Sequence, residues 1–320
     1  MYSRIVGTGS HLPARVLTNA ELEKMVDTTD EWIRDRTGIE RRHIAAPGET
    51  TVDLAEPAAR RACEMAGVRP EEVDFIAFGT TTPDLVFPNC GVLLQQRLGG
   101  RGGPAFSIET ACSSFMYALA MADKFVRAGE AKCALVVGAE TLSRITDWTD
   151  RSTCVIFADG AGAVVLKPSN EPGVLSTHLH ADGTYKDLLT CKSGVSRGFG
   201  EVEPRMAISM VGSEVFKIAV TKLGQAVEEA LAANGFEKSS IDWLVPHQAN
   251  IRIIQATARK LDLSMDRVIC TVANHGNTSA ASVPLALDVG VRDGRIKAGQ
   301  LLLLEAFGGG FTWGSSLVRL

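Results

Sequence analysis

Apolar residues along this chain alternate between short unbroken runs and longer stretches spaced at three and four. The runs "VDFIAFGTT" (73–81) and "CALVVGAE" (133–140) are rich in strand-forming residues and predict buried strands, since a strand covered on both faces needs no polar alternation. "TVDLAEPAARRACEMAG" (51–67) has helical spacing and ends on a glycine, which predicts a helix with its C-terminal cap. From Cys112, the positions Phe115, Leu119, Ala122 and Val126 repeat in the same way as far as Gly129, predicting another helix. Alternating strands and helices imply an α/β protein.

The order then repeats. "AARRACEMAGVRPEEVDFI" (58–76) aligns 168 positions later with "AVEEALAANGFEKSSIDWL" (226–244), pairing Ala58 with Ala226, Ala62 with Ala230, Gly67 with Gly235 and Asp74 with Asp242. At the same offset "CALVVGAE" meets "LLLLEAFG" (301–308). Nearer the end, "FADGAGAVVL" (157–166) aligns with "FTWGSSLVRL" (311–320) at an offset of 154, as though the second copy lacked fourteen residues of loop. A consistent order of matches marks a duplicated unit. Two similar α/β halves are expected, 1–170 and 171–320, divided near the turn-forming "PSNEPG" (168–173). "CKSGVSRGFGEVEP" (191–204) reads as a surface loop.

With 320 residues, 45% hydrophobic and 22% charged, the chain can bury a large core and has no disordered composition. Its net charge of -4 argues against general nucleic-acid binding, so any anionic partner must be met by a local basic patch. The seven cysteines never lie closer than 21 residues apart, which excludes C-x-x-C redox and zinc-ribbon spacings. An odd number of unpaired thiols suits a reducing cytosol. No stretch approaches the roughly 20 apolar residues of a spanning helix, and the first residues lack a basic segment followed by an apolar one. A soluble, cytoplasmic protein with no membrane association is expected.

Four segments carry candidate chemistry. Cys112 in "ETACSSF" (109–115) stands at a predicted helix start, where free N–H groups and the helix dipole favour a thiolate and can hold an oxyanion. A buried structural cysteine has the same appearance. "LVPHQANIRII" (244–254) runs a strand into His247 and then a helix with Arg252 and Arg259. A strand-end histidine lies where α/β proteins bind ligands, although it can equally be a hydrogen-bonded structural residue. "ANHGNTSAASVPLAL" (273–287) opens an apolar helix and offers Asn277 as a donor or an N-cap, with His275 competing for the role. "EAFGGGFTWGS" (305–315) sets three glycines after a strand, where backbone can aim an N–H at developing charge or merely bulge. "GTGSHL" (7–12) lacks the third glycine of a dinucleotide fingerprint and "HLHAD" (178–182) reads as a strand end, so neither a dinucleotide nor a metal is expected.

In this order and spacing, together with "GTGSHLP", "TTDEWIRDRTGIERRHIA", "HQANIRI" and "HGNTSAASVP", the motifs resemble the β-ketoacyl-acyl carrier protein synthase III family over the whole chain. The resemblance implies a thiolase-like fold, two α/β halves in α-β-α-β-α layers. It also implies the initiating condensation of fatty acid synthesis, in which acetyl-CoA and malonyl-acyl carrier protein give acetoacetyl-acyl carrier protein, CoA and CO2 without a cofactor. Cys112 is then the acylated nucleophile, and His247 and Asn277 donate hydrogen bonds to the enolate left by decarboxylation. The backbone N–H groups of Cys112 and Gly309 form the oxyanion hole.

Thr28, Trp32, Arg36 and Arg151 resemble the family's coenzyme A site, with Arg151 facing Trp32 across the adenine. Phe216, Ala249 and Asn250 resemble the pantetheine tunnel. The segment Gln248, Ala249, Asn250, Ile251 and Arg252, with Lys217 and Arg259, resembles the surface that meets the acidic acyl carrier protein. Phe87 resembles the bulky residue that one subunit inserts into its partner's acyl pocket, which implies a homodimer and a short primer. Ser113 and Ser114 stand where small apolar residues are common, and the loop 191–204 departs in length and composition. Both departures bear on primer length more than on reaction type. The rival readings are a related acyltransferase with a longer or different primer and a noncatalytic acyl-binding protein.

Overall fold

The computed structural model describes residues 1–192, 194–197 and 207–320; residues 193 and 198–204 of the expected loop 191–204 lie outside the described residues. Strands β1 (Tyr2–His11), β2 (Phe75–Gly79), β3 (Ala105–Ile108), β4 (Ala134–Thr141) and β5 (Asp159–Ser169) form one sheet in the order β1-β5-β4-β2-β3. Strands β6 (Val174–Ala181), β7 (Trp243–Pro246), β8 (Leu301–Gly308) and β9 (Thr312–Arg319) form a second in the order β7-β8-β9-β6. The helices that cover them are α1 (Asp30–Thr37), α2 (Thr51–Ala66), α3 (Cys90–Leu98), α4 (Ser114–Arg127), α5 (Gly212–Asn234), α6 (Ile251–Lys260) and α7 (Ser282–Arg292).

Strand register repeats along with the sequence. Ile76 pairs with Leu135 in the first sheet and Leu244 with Leu303 in the second, both partners moved by 168. The following strand departs from the expected offset. Leu135 pairs with Val165 and Leu303 with Leu317, a separation of 152 rather than 154. A slip of two leaves every side chain on its original face, so the aligned letters keep their strand pattern. The counterpart of β3 is reduced to one isolated bridge, Leu244 with Val268.

Alternation along the strands builds five layers. Phe75 and Ala77 of β2, and Leu302 and Leu304 of β8, share one core with α4 and α7 between the sheets. Ile76 and Phe78 turn the other way, onto α2 and α3. Leu301 and Leu303 turn onto α5 and α6. Helix, sheet, helix, sheet, helix is the expected α-β-α-β-α arrangement. Large side chains buried in these cores, such as Phe75, Phe78 and Phe115, each contribute about 1.5–3 kcal/mol.

The glycines of "GTGSHL" serve packing. A Cβ on Gly7 would lie 2.2 Å from the Ala62 carbonyl oxygen, and one on Gly9 2.2 Å from that of Ala58, so only glycine lets α2 lie directly on β1.

Candidate active site

Cys112 sits in a single turn, Ala111–Ser113, just ahead of α4. Ala111 is held left-handed at φ 48, a conformation that costs energy for a residue with a Cβ and is met at functional turns. The Cys112 side chain is 7% exposed and shares the wall of a cavity of about 850 Å³ with His247 and Asn277. Burial pushes its pKa up to about 12, against a smaller downward pull from the Ser279 hydroxyl. The ready thiolate expected at a helix start is therefore not found. The helix proper begins at Ser114, and the largest influence on the thiol is its burial.

The second half repeats the turn. Ser279 is left-handed at φ 49 and opens the turn Ser279–Ala281 ahead of α7, each feature 168 positions after its counterpart. Ala280 occupies the place of the cysteine, and the two turns lie against each other.

Strand β7 delivers His247 to the cavity, where its backbone N–H donates to the Glu305 carbonyl at 2.8 Å. Nδ1 of the ring lies 2.5 Å from the Ser282 hydroxyl, whose oxygen also accepts the Gln248 N–H at 3.3 Å. The arrangement that uses the serine proton sends it to Nδ1 and leaves the ring hydrogen on Nε2. Burial lowers the pKa of His247 to about 3, so the ring is neutral.

Asn277 is fixed at both levels. Its N–H donates to Ile156 at 3.0 Å and its carbonyl accepts from Ala158 at 2.9 Å, while Oδ1 accepts the Ser279 N–H at 2.9 Å. With the amide oxygen engaged, the NH2 group is left to donate. His275, the competitor, does not line the cavity; it lies near His43, and burial lowers its pKa to about 4. The glycine turn closes on the cysteine: a Cβ on Gly308 would lie 2.7 Å from the Cys112 nitrogen. Among the described residues, no group of three or more His, Cys, Asp or Glu could hold a metal.

Residues 106–183 match the family described as 3-oxoacyl-[acyl-carrier-protein (ACP)] synthase III, and residues 231–320 match its C-terminal part. Over 319 residues the chain is 63% identical to a beta-ketoacyl-[acyl-carrier-protein] synthase III of Thioalkalivibrio sulfidiphilus, covering 99% of each. The chain belongs to the β-ketoacyl-acyl carrier protein synthase III family. The solved synthase III of Aquifex aeolicus is 44% identical, with a TM-score of 0.94 over 99% of this chain and 100% of that one. A solved priming β-ketosynthase from a polyketide biosynthetic pathway is 37% identical, with a TM-score of 0.95 over 100% of this chain and 96% of that one. This synthase III is a condensing acyltransferase of the thiolase fold that acts at the initiation of fatty acid synthesis.

Of the substrate-facing residues expected in this synthase III, Trp32, Arg36, Phe216, Lys217, Ala249, Asn250, Arg252 and Arg259 line the same cavity as Cys112. Arg151 does not stand across a slot from Trp32. Its guanidinium lies over the ring, 5.3 Å from the centroid, with Arg36 at 5.8 Å, and it donates to the Asp27 carbonyl at 2.7 Å. A planar base between Trp32 and Arg151 requires that guanidinium to swing outward. Thr28 does not line the cavity, and its hydroxyl is buried without a partner among the described residues.

The carrier segment divides into braces and contacts. Gln248 is fully buried: its amide donates to Pro246 and Ile269 and accepts from Thr271 and Val272, so its side chain cannot meet a partner. Asn250 caps α6 through the Arg252 N–H and donates to the Arg36 carbonyl at 2.9 Å. Ile251 packs on Gly38. Arg252, Arg259 and Lys217 remain exposed at the mouth. Phe87 stands 84% exposed beside Leu85 and Val86. Ser113 and Ser114 do not line the cavity; both hydroxyls turn back onto the cysteine turn.

Sequence reasoning did not find Ser282 or the buried carboxylates. Glu140 accepts from Thr80, Thr81, Thr82 and Ser279, and burial raises its pKa to about 7. Among the described residues neither carboxyl oxygen of buried Glu305 has a hydrogen-bond partner, and burial raises its pKa to about 8 against a smaller downward pull from Thr257. An acid inside each apolar strand run, and the 168-residue match of Ser282 to Ser114, were the signals available.

Proposed function

We propose that this synthase III condenses acetyl-CoA with malonyl-acyl carrier protein to give acetoacetyl-acyl carrier protein, CoA and CO2, through an acetyl-Cys112 intermediate. The observation that carries the reading is the single cavity shared by the Cys112 thiol, the neutral His247 ring and the Asn277 amide. The Cys112 sulfur attacks the thioester carbon of acetyl-CoA, the carbon–sulfur bond to coenzyme A breaks, and the thiol proton leaves with the coenzyme A thiol. One thioester replaces another, so no acid or base is consumed.

Malonyl-acyl carrier protein then enters. Its carbon–carbon bond to the carboxylate breaks, CO2 leaves, and the electron pair becomes an enolate whose oxygen accepts from Nε2–H of His247 and the Asn277 amide. Neither donor has to take a proton from carbon. The enolate carbon attacks the acetyl group, the tetrahedral oxyanion formed there lies between the N–H groups of Cys112 and Gly309, and the cysteine sulfur departs as thiolate and takes a proton from solvent. One such oxyanion donor typically contributes about 3–4 kcal/mol to the transition state.

Trp32, Arg36 and Arg151 bind the nucleotide of coenzyme A, with Thr28 beside them, and Phe216, Ala249 and Asn250 line the pantetheine path. Exposed Arg252, Arg259 and Lys217 give an acidic carrier protein a local positive surface on a chain of net charge -4. Exposed Phe87 reaches into the acyl pocket of a second copy, which makes the enzyme a homodimer and shortens the primer it accepts. The chemistry uses no cofactor, and the enzyme works in the cytoplasm.

Incubation with radiolabelled acetyl-CoA tests the covalent step. Acid-stable label is expected on the wild type and none on Cys112→Ser; equal labelling of the two refutes the intermediate.

A further inference from the structure

Two turns must stay in register for the proposed oxyanion hole to work, one carrying the Cys112 N–H and the other the Gly309 N–H. Two hydroxyl contacts cross between them, Thr312 to Thr110 and Thr312 to Ser113, and a third, Ser113 to Thr110, lies within the cysteine turn. Thr312, the first residue of β9, donates from Oγ1 to the Thr110 carbonyl at 2.9 Å, with the Gly309 carbonyl 3.5 Å away. Ser113 donates to the same Thr110 carbonyl at 2.7 Å. The two hydroxyl oxygens are themselves 2.8 Å apart. Ser113 is fully buried, and a Cβ on Gly308 would lie 2.7 Å from the Thr110 carbonyl oxygen, so the clasp sits where the two turns have no room for a further atom.

Proton bookkeeping shows how it holds. Four contacts, the 3.5 Å approach to the Gly309 carbonyl included, share two hydroxyl protons, so at the shorter distances one hydroxyl bonds Thr110 while the other bonds either Thr110 or its neighbour. Thr312 links the glycine turn to the cysteine turn directly, and Ser113 reinforces that link from the cysteine side.

We propose that Thr312, supported by Ser113, is a positioning residue that holds the Gly309 N–H in line with the Cys112 N–H during acyl transfer. This rests on the oxyanion role given above to those two N–H groups. The two serines of "ETACSSF" thereby divide the work of bracing the nucleophile. Ser113 belongs to the clasp, and Ser114 ties down its own turn by donating to the Ala111 carbonyl at 2.7 Å and accepting the Thr110 N–H at 2.8 Å.

Single-turnover transfer of labelled acetyl from acetyl-CoA to Cys112 tests it, read as rate and KM separately. Thr312→Val, which keeps shape and loses the hydroxyl, is expected to slow transfer about tenfold with KM for acetyl-CoA unchanged. Thr312→Ser restores the rate. Ser113→Ala slows it about threefold in the presence of Thr312, and the double variant Ser113→Ala/Thr312→Val is no slower than Thr312→Val alone, because without Thr312 the serine bonds only its own turn. If Ser113→Ala does not fold, the contrast between Thr312→Val and Thr312→Ser decides. Equal rates for those two overturn the inference, as does a change confined to KM. Absence of label on wild-type Cys112 overturns the covalent reading instead, so the two failures are distinct.

Discussion

His247 and Ser282 meet at 2.5 Å, Nδ1 to Oγ, where the end of β7 touches the first residue of α7. The serine is held in turn by the Gln248 N–H, one residue beyond the histidine. A neutral ring fixed at Nδ1 can present only Nε2 to the cavity, so the tautomer of the proposed enolate donor is set by a residue that does not line the cavity.

Ser282→Ala removes that constraint. Decarboxylation of malonyl-acyl carrier protein is expected to fall roughly ten- to a hundredfold, the scale of losing a well-aimed donor to a developing oxyanion. Acetyl transfer to Cys112 is expected to change little. CO2 release and acetyl labelling, measured side by side, check the split; equal losses in both contradict a role confined to the histidine.

Asn277→Ala separates the same two steps. With the Asn277 oxygen engaged by the Ser279 N–H, the NH2 group is the part left for the cavity. The variant is expected to acetylate Cys112 near the normal rate and to decarboxylate about a hundredfold more slowly. Normal decarboxylation by this variant refutes the donor assignment.

Cys112 supplies the pH prediction. A thiol with its pKa pushed up to about 12 is protonated at neutral pH, and its reactive thiolate grows as pH rises toward that value. Alkylation of the Cys112 peptide by iodoacetamide, followed by mass spectrometry, is expected to quicken about tenfold per pH unit from 7 to 10 without levelling off. A plateau near pH 8 means that the thiolate is favoured in spite of burial.

Local patterns and a numerical repeat made the architecture legible before any coordinates. The 168-residue offset reappears in the pairing of Ile76 with Leu135 and of Leu244 with Leu303, because a duplicated unit keeps its register. What sequence could not show is what lies across a layer boundary. Gln248 and Asn250 read as polar residues on a binding segment, yet one is walled in by four backbone groups and the other is spent on a cap and on Arg36. The thiol's environment was misread for the same reason. A helix start is visible in spacing, whereas the burial that raises the thiol's pKa, the opposing hydrogen bond from Ser279 and the Glu140 charge nearby all depend on residues brought together from distant parts of the chain.

Arg252 tests the carrier surface. It is exposed at the cavity mouth on the first turn of α6. Arg252→Glu replaces an attraction with a repulsion, and KM for malonyl-acyl carrier protein is expected to rise at least tenfold while acetyl transfer from acetyl-CoA is unchanged. The defect should shrink as salt is raised, because exposed charges are screened within about 10 Å at 0.1 M salt. A loss that is independent of salt points to misfolding of α6 rather than lost steering.

Primer length turns on Phe87. A phenylalanine 84% exposed, flanked by exposed Leu85 and Val86, is a costly surface for a protein that stays alone, and it fits the proposal that a second copy covers it. If that copy's acyl pocket ends on Phe87, the space left suits two carbons, and the wild type should prefer acetyl-CoA over butyryl-, octanoyl- and branched acyl-CoA in initial-rate assays with malonyl-acyl carrier protein. Phe87→Ala should lengthen the pocket by one aromatic ring and move the preference to the longer donors while leaving acetylation of Cys112 possible. Sedimentation of both proteins keeps the two effects apart, since a variant that is monomeric and inactive reports on assembly, whereas a dimer with altered donor choice reports on the pocket. A wild type that already favours octanoyl-CoA refutes the placement of Phe87.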